Sequence, residues 1–360
     1  MKTLLKPGIH YLYLFLPITV LLEFMHVSPP LVFLSAALSI IPLAKLIGHS
    51  TEQIATYTGD SLGALLNVTF GNAPELIITI VALNAGLHDI VLASLAGAIL
   101  ANLLLAMGLS FLFGGFKHHN QEYNASGLRI NVSMMMIATI SLMIPAAFHQ
   151  FSEKTHTNLN LNALNILIAS LLLLTYGLYL FFMLKTHPDF FAASKEKENE
   201  EPDHKRWSLP RGIISLIVAS VLAAVMSEML VGAAEETGKI VGMSNLFIGV
   251  VLLAVIGGAA ETISAVAMAQ KNKMDLSIGI AMGSSMQIAL FVAPLLVLLS
   301  LFIGPSQMNL NFSRTLIVCI FLSVILGTMV AGDGKSNWYK GFQLVMVYTI
   351  IAIMFYFIPS

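Results

Sequence analysis

Two glutamates stand where the chain is otherwise almost wholly apolar. Glu75 lies in Phe70–Val81, FGNAPELIITIV, and Glu261 lies in Ile256–Val266, IGGAAETISAV. A charged side chain at the centre of a hydrophobic segment costs at least ~2.5–3.5 kcal/mol on insertion scales, so such residues face a cavity and usually carry a function. Pro74 adds a backbone effect: it has no N–H, and its ring clashes with the carbonyl four residues earlier, that of Phe70. The Phe70 carbonyl is thereby left free beside the Glu75 carboxylate and the Asn72 amide oxygen. Hard oxygen ligands of this kind suit Ca²⁺, which takes about 6–8 oxygens in loose geometry. In the second stretch Gly257 and Gly258 loosen the helix without a proline.

Other polar residues also interrupt apolar runs. Asn102 sits in GAILANLLLAMG, and Ser284, Ser285 and Gln287 sit in GSSMQIALFVAP. Small residues such as Ser285 can serve helix packing alone, but a large amide in an apolar run needs a partner. Glu228, inside ASVLAAVMSEMLVGAA, is expected to be functional. Glu52 follows HST at the start of a segment, where an N-cap region is the plainer reading, and Glu235 and Glu236 fit a solvated helix end. The histidines, among them His49, His88, His118 and His119, read as loop residues. Met134–Met136 read as core or lipid-facing residues, because neither Cys nor His clusters with them for soft-metal chemistry.

These residues belong to a chain of 360 that is 57% hydrophobic and only 10% charged. Apolar runs long enough to span a bilayer, about 20 residues each, recur at 9–26, 30–48, 52–84, 89–115, 128–148, 162–185, 211–239, 244–270, 275–303, 312–331 and 338–358. The fold class is therefore an all-α polytopic membrane protein with eleven transmembrane helices. The first run resembles a signal peptide but continues into EFMHVSPP rather than a small-residue cleavage site, so it reads as a retained helix. The single Cys319 excludes a disulfide framework, and a net charge of −1 gives no reason to expect a nucleic-acid partner. Residues 186–210 are dense in both charges and form a linker, for which a short amphipathic helix and a solvated loop both fit.

Basic residues orient the spans. With a cytoplasmic amino terminus, fifteen of the eighteen Lys and Arg residues fall on or beside cytoplasmic segments, and only Lys154, Lys239 and Arg314 fall outside. The carboxyl terminus is then outside. Glu261 follows Glu75 by 186 residues, and the same offset carries Asp89 onto Asp275 and Gly97 onto Gly283. The organisation expected is a leading helix (1–29), a five-helix unit (30–185), a charged cytoplasmic linker (186–210) and a second five-helix unit (211–360). An odd number of spans per unit inverts the second relative to the first, a signature of secondary transporters.

The motifs resemble those of the Ca²⁺/H⁺ exchanger (CAX) family of cation/Ca²⁺ antiporters, in which two G-N-A-x-E-L/H motifs sit in inverted five-helix repeats. GNAPELI at 71–77 fits closely, GSSMQIALFVAP resembles the family's second-repeat helix, and SEMLV at 227–231 looks like its segment with an acid implicated in proton movement. The resemblance implies that Glu75 and Glu261 are the central cation and proton carboxylates and the metal ligands. It also implies that Asn72, Asn102, Ser284 and Gln287 line the site, with Glu228 and Glu52 on access routes. The second motif departs from the family: Gly258 and Thr262 stand where it usually has Asn and His.

The function expected is exchange of cytosolic Ca²⁺ for H⁺ by alternating access, with no cofactor and no enzymatic activity. One Ca²⁺ or protons neutralise the paired carboxylates, and the doubly ionised empty site is disfavoured by burial. A Na⁺-driven exchanger of the same fold is the nearest alternative, although its motifs tend to be rich in Thr and Ser. An intramembrane aspartyl protease is excluded, because all six aspartates lie near segment ends or in the linker except the somewhat deeper Asp60, and no pair exists. A channel or structural protein would not need duplicated midplane acids. The expected location is a prokaryotic plasma (inner) membrane, and a homo-oligomer is compatible with the pattern.

Overall fold

The computed structural model describes residues 9–58, 66, 69–155, 160–187 and 207–358. Lys2, Lys6, Asp60 and the middle of the linker lie outside the described residues. The elements used below are α1 (His10–Phe24), α2 (Pro29–Thr58), α3 (Ala73–Asn84), α4 (His88–His118), α5 (Ala125–Thr155), α6 (Leu161–Thr186) and α7 (Leu209–Val241). They continue with α8 (Asn245–Gly257), α9 (Ala259–Gln270), α10 (Met274–Leu299), α11 (Arg314–Ala331) and α12 (Trp338–Phe357). Among the described residues eight helices are long and apolar enough to cross a membrane, and α8 with α9 forms a further pair bent by 55°. The two remaining apolar segments, α1 and α3, are shorter.

The surface matches a lipid environment. Leu167, Leu171, Leu174 and Leu178 on α6, and Ile214, Val218 and Val221 on α7, are all at least half exposed. Their spacing of three and four residues makes continuous apolar stripes, which a bilayer covers and water does not. Trp338 and Tyr339 are exposed at the start of α12, with Phe116 stacked on Trp338. Aromatics of this kind favour the headgroup level.

Inside, α4 is the central element, with 94% of its most apolar window buried. It crosses α8 through small residues: a Cβ at Gly97 would lie 2.2 Å from the Val250 carbonyl oxygen. Close backbone approach through small residues is how helices associate without a hydrophobic driving force between them. The leading helix is tied on by polar contacts, Thr19 Oγ1 to Ser35 Oγ at 2.7 Å and Tyr13 Oη donating to the Pro42 carbonyl at 3.1 Å.

The 186-residue offset recurs in the element boundaries. It carries Ala73–Asn84 onto Ala259–Gln270 and the start of α4 at His88 onto the start of α10 at Met274. The π-helical turn Ala101–Ala106 within α4 likewise has a counterpart at Ile288–Val292 within α10.

Two loops meet at one end of the bundle as a small antiparallel ladder, β1 (Gln121–Glu122) with β2 (Lys335–Ser336). The α9–α10 turn joins them, since Gln121 Nε2 donates to Ala269 O at 2.8 Å and Asp275 Oδ1 accepts from Asn124 N at 2.7 Å. Lys340 clamps Asp333 at 2.6 and 2.7 Å and holds its carboxyl below the usual range.

One boundary differs from the sequence reading. The runs 30–48 and 52–84 are not separated at 49–51, because α2 continues unbroken to Thr58. His49 is therefore helical rather than a loop residue, and Glu52 is in the last two turns of a helix rather than at the start of one. The polar HSTEQ stretch ends a long helix at the wet end of the bundle, where it needs no turn.

The crossing at Gly97 yields a stability test. Gly97→Ala forces the α4 and α8 backbones apart, so thermal melting of the purified protein should drop by the equivalent of ~1–3 kcal/mol, the usual cost of overpacking. Gly177→Ala on α6, where an added Cβ meets nothing within 4 Å, should leave the melting temperature unchanged or raise it, since Ala is the better helix former.

Candidate cation site

The two half-helices α3 and α9 begin alike. Asn72 precedes α3 with φ −101° and ψ 28°, and Gly258 precedes α9 with φ −79° and ψ 11°. Pro74 falls in the first turn of α3, where its fixed φ and missing N–H suit a helix start. It acts as a helix starter that follows a break. It still cannot donate to the Phe70 carbonyl, which lies one turn before it. Glu75 and Glu261 occupy the first turns of α3 and α9, where the partial positive charge of a helix N-terminus favours an anion.

Asn at a helix start usually turns its side-chain oxygen onto a backbone N–H of the first turn. Asn72 makes no such cap. Its Nδ2 instead donates to Gln287 Oε1, and its Oδ1 has no hydrogen-bond partner among the described residues. A hydrogen bond thus links the first motif to the π-helical region of α10. Asn102, in the π-turn of α4, is fully buried at 0% exposure, and neither its Oδ1 nor its Nδ2 finds a partner among the described residues. Wide turns of this kind recur at functional sites.

These groups converge on the second motif. A Cβ built at Gly258 would lie 3.7 Å from both Asn102 Oδ1 and Glu75 Oε1, and one at Gly257 would lie 3.0 Å from Glu75 Cγ. Glu75 is only 4% exposed, and neither of its carboxylate oxygens has a hydrogen-bond partner among the described residues. Glu261 Oε2 is in the same condition. Five side-chain oxygens, from Asn72, Glu75, Asn102 and Glu261, are therefore buried with no hydrogen-bond partner among the described residues. A neutral orphaned group costs ~1–3 kcal/mol and a charged one more, so this arrangement calls for a cation or for protons.

A cavity of about 600 Å³ leads to this cluster. Gly71, Glu261, Ser284 and Gln287 line its deep part, and Glu52, Asn124 and Asp275 lie towards the helix ends. One face of α10, Gly279, Gly283 and Gln287, lines the passage, and neither glycine has any atom within 4 Å of an added Cβ. The glycines leave the passage clear.

Relatives place the chain. The sodium/calcium exchanger protein family matches residues 28–185 and 211–357. The chain belongs to this family. It is 40% identical over 361 residues to a protein named Ca²⁺/H⁺ antiporter from Aphanothece halophytica, covering 97% of this chain and 96% of that one. It is also 40% identical over 341 residues to the Ca²⁺/H⁺ antiporter ChaA of Bacillus subtilis (strain 168), covering 94% and 96%. Within the exchanger family its likeness is thus to the Ca²⁺/H⁺ branch. The solved structure of native YfkE superposes with a TM-score of 0.84 at 37% identity, over 98% of this chain and 100% of that one. An H⁺/Ca²⁺ exchanger CAX crystal structure, at 14% identity and a TM-score of 0.70, covers 96% and 91% and shares the fold.

Of the exchanger residues expected from sequence, Glu75, Glu261, Asn72, Asn102, Ser284 and Gln287 come together. Ser285 does not join them, since its hydroxyl donates to Ala281 O within its own helix at 3.0 Å. Glu52 lines the cavity near its mouth, 3.8 Å from His49 Nδ1. Glu228 does not line the cavity; it is exposed on α7, continuing the apolar stripe of Val221 and Val225. Sequence reasoning missed the aromatic wall. Tyr176 and Tyr179 line the passage, stacked at 6.2 Å, and Tyr179 Oη donates to Asn131 Oδ1 at 3.0 Å. Their three-residue spacing in LLLLTYGLYLFF was the available signal.

The cavity can be tested directly. In a Cys319→Ser background, Ser284→Cys should react with a membrane-impermeant thiol reagent applied from the Glu52 end. Gly279→Leu, one turn nearer the mouth, should slow that reaction sharply while leaving the fold intact by circular dichroism. Equal labelling with and without the leucine would show that the passage does not run along this face of α10.

Proposed function

We propose that this exchanger moves cytosolic Ca²⁺ against H⁺ by alternating access, with Ca²⁺ and protons competing for Glu75 and Glu261 near the bilayer midplane. The observation that carries this reading is the set of five buried side-chain oxygens, three from the two carboxylates and two from Asn72 and Asn102, with no hydrogen-bond partner among the described residues. With the Phe70 carbonyl as a sixth, these hard oxygens reach the lower end of the roughly 6–8 that Ca²⁺ takes, and close relatives are named as antiporters, which are transporters rather than enzymes. Asn72, Asn102, Ser284 and Gln287 line the site, and the Phe70 carbonyl supplies a backbone ligand. Glu52 stands on the entry route. Glu228 would serve proton movement only from the lipid-facing side of α7.

The organisation proposed is eleven spans: a leading helix followed by two inverted five-helix repeats, 30–185 and 211–360, joined by a cytoplasmic linker. The matching boundaries of α3 and α9 support the repeat. The ends at His118, Gln270 and Ala331 meet in the loop ladder, as alternating spans require. With the amino terminus cytoplasmic, the 600 Å³ cavity opens inward and the structure corresponds to an inward-facing state. A bacterial plasma membrane fits the two bacterial relatives described above.

A Na⁺-driven cycle is the second reading, favoured only by the family's breadth. The first motif carries no hydroxyl and the second only Thr262, so separate Na⁺ sites have few ligands here. Uptake driven by a Na⁺ gradient at fixed pH, with none driven by a proton gradient, would decide for it.

Proton-gradient-driven ⁴⁵Ca²⁺ uptake into inverted vesicles tests the main proposal. Glu75→Gln and Glu261→Gln should each reduce uptake to background while the protein still folds and inserts; wild-type rates in either would sink the assignment. Acidifying the face from which Ca²⁺ enters should raise the half-saturating Ca²⁺ concentration, because protons then hold the same carboxylates.

Gly258→Asn restores the family's amide. Its Cβ would sit 3.2 Å from Ala254 O, tight but tolerable at the observed backbone angles. The expected result is a half-saturating Ca²⁺ concentration lower by about fivefold, worth ~1 kcal/mol as one added polar contact.

A further inference from the structure

A second cavity lies away from the cation site, between α11 and α12. It has a volume of about 690 Å³ and is walled by Val318, Leu322 and Leu326 on α11 and by Val347 and Ile351 on α12. Leu322 and Val318 are more than half exposed, so the groove opens to the lipid phase. Its deeper polar group is already engaged: Ser323 Oγ donates to Cys319 O at 2.7 Å. The wall therefore suits a hydrocarbon chain rather than a polar ligand.

Arg314, the first residue of α11, lines the mouth of this groove. It is exposed and makes no ion pair among the described residues. On its other side it borders a recess shared with Asp89 and His149. At the end of a span the guanidinium stands at headgroup depth, and Arg binds phosphate through a planar fork of donors. The groove runs from Arg314 to Met329, about 22 Å at ~1.5 Å per residue. A leaflet's hydrocarbon is ~15 Å deep, so one acyl chain fits beneath a headgroup held at Arg314.

We propose that the groove between α11 and α12 binds one anionic phospholipid, its phosphate on Arg314 and an acyl chain along Val318 and Leu322. Phosphatidylglycerol and phosphatidylcholine with the same acyl chains, titrated onto the full-length protein and read by native mass spectrometry, test this. The wild type should retain one phosphatidylglycerol in preference to phosphatidylcholine. Arg314→Gln should weaken that adduct about fivefold, the usual worth of one basic group at an anionic lipid surface, and Arg314→Lys should keep most of it. Lys239→Gln, which removes another basic residue assigned to the same side, should not matter.

Cys319 locates the lipid. It is the chain's only cysteine, lines the groove and is 7% exposed. Phosphatidylglycerol should slow its alkylation in the wild type and not in Arg314→Gln. Equal retention of the two lipids, or alkylation indifferent to phosphatidylglycerol, overturns the proposal. So does an oligomer that dissociates in Arg314→Gln without lipid, since a second copy would then occupy the groove. None of these readouts depends on ion transport, so the proposal and the exchange mechanism can fail separately.

Discussion

Two carboxylates held in one apolar interior constrain everything around them. Two like unit charges 4 Å apart repel by about 4 kcal/mol even at an effective dielectric of ~20, and burial adds a desolvation cost for each. Glu75 and Glu261 can share one site only if positive charge is brought to them. The broken helices supply part of it. Each N-terminus contributes a partial charge of roughly +0.5, so α3 and α9 together offset about half of the charge on the two acids. The remainder must arrive with whatever the site binds, and it must be replaced before that leaves. A cation and protons meet the requirement interchangeably, which is why the geometry suits exchange better than a passive pore.

That constraint also explains where the helices break. An uninterrupted helix through residues 70–84 would turn its N-terminal end away from Glu75. Pro74 and the turn at Asn72 place a new helix start beside the acid, and Gly258 does the same for Glu261 without a proline. The π-turns of α4 and α10 widen the backbone next to these starts, so Asn102 and Gln287 reach the gap from the helices that follow. Gly97 lets α4 approach α8 closely enough to put Asn102 near Gly258. The small residues matter here as spacers between backbones, and the polar ones matter because, apart from the Asn72–Gln287 hydrogen bond, they leave oxygens facing the gap without partners among the described residues.

The sequence made much of this legible, because acids and amides are conspicuous in apolar runs. Glu75, Glu261, Asn72, Asn102 and Gln287 could be singled out on that ground alone, and the 186-residue offset reappears in the boundaries of α3 and α9. Other features had no such contrast. Tyr176 and Tyr179 are amphipathic, so in an apolar run they read as ordinary packing. The π-turns left no mark, since one extra residue in a helical turn follows from packing rather than from residue type. The length of α2 is not legible in the sequence because HSTEQ has the composition of a turn, yet polar residues at the wet end of a helix need no turn. Glu228 shows a different limit: an acid in an apolar span signals cost, but only the fold shows which way it faces.

The two halves are not equivalent, and the difference lies in their amides. Asn72 is held by Gln287 and helps to close the first half around Glu75, which is almost wholly buried. Its counterpart Gly258 has no side chain, so no such amide stands beside Glu261, which lines the cavity and is only partly buried. On the proposed route an ion entering from the Glu52 end would meet Glu261 first and reach Glu75 past Gly71 and Gln287. In the proposed cycle the cavity side would exchange protons at Glu261 before Glu75 is disturbed, and the Asn72–Gln287 contact would have to open for the ion to be fully enclosed. In that cycle the asymmetry of the motifs would set an order of events, with the glycine on the entry side and the asparagine as the inner latch.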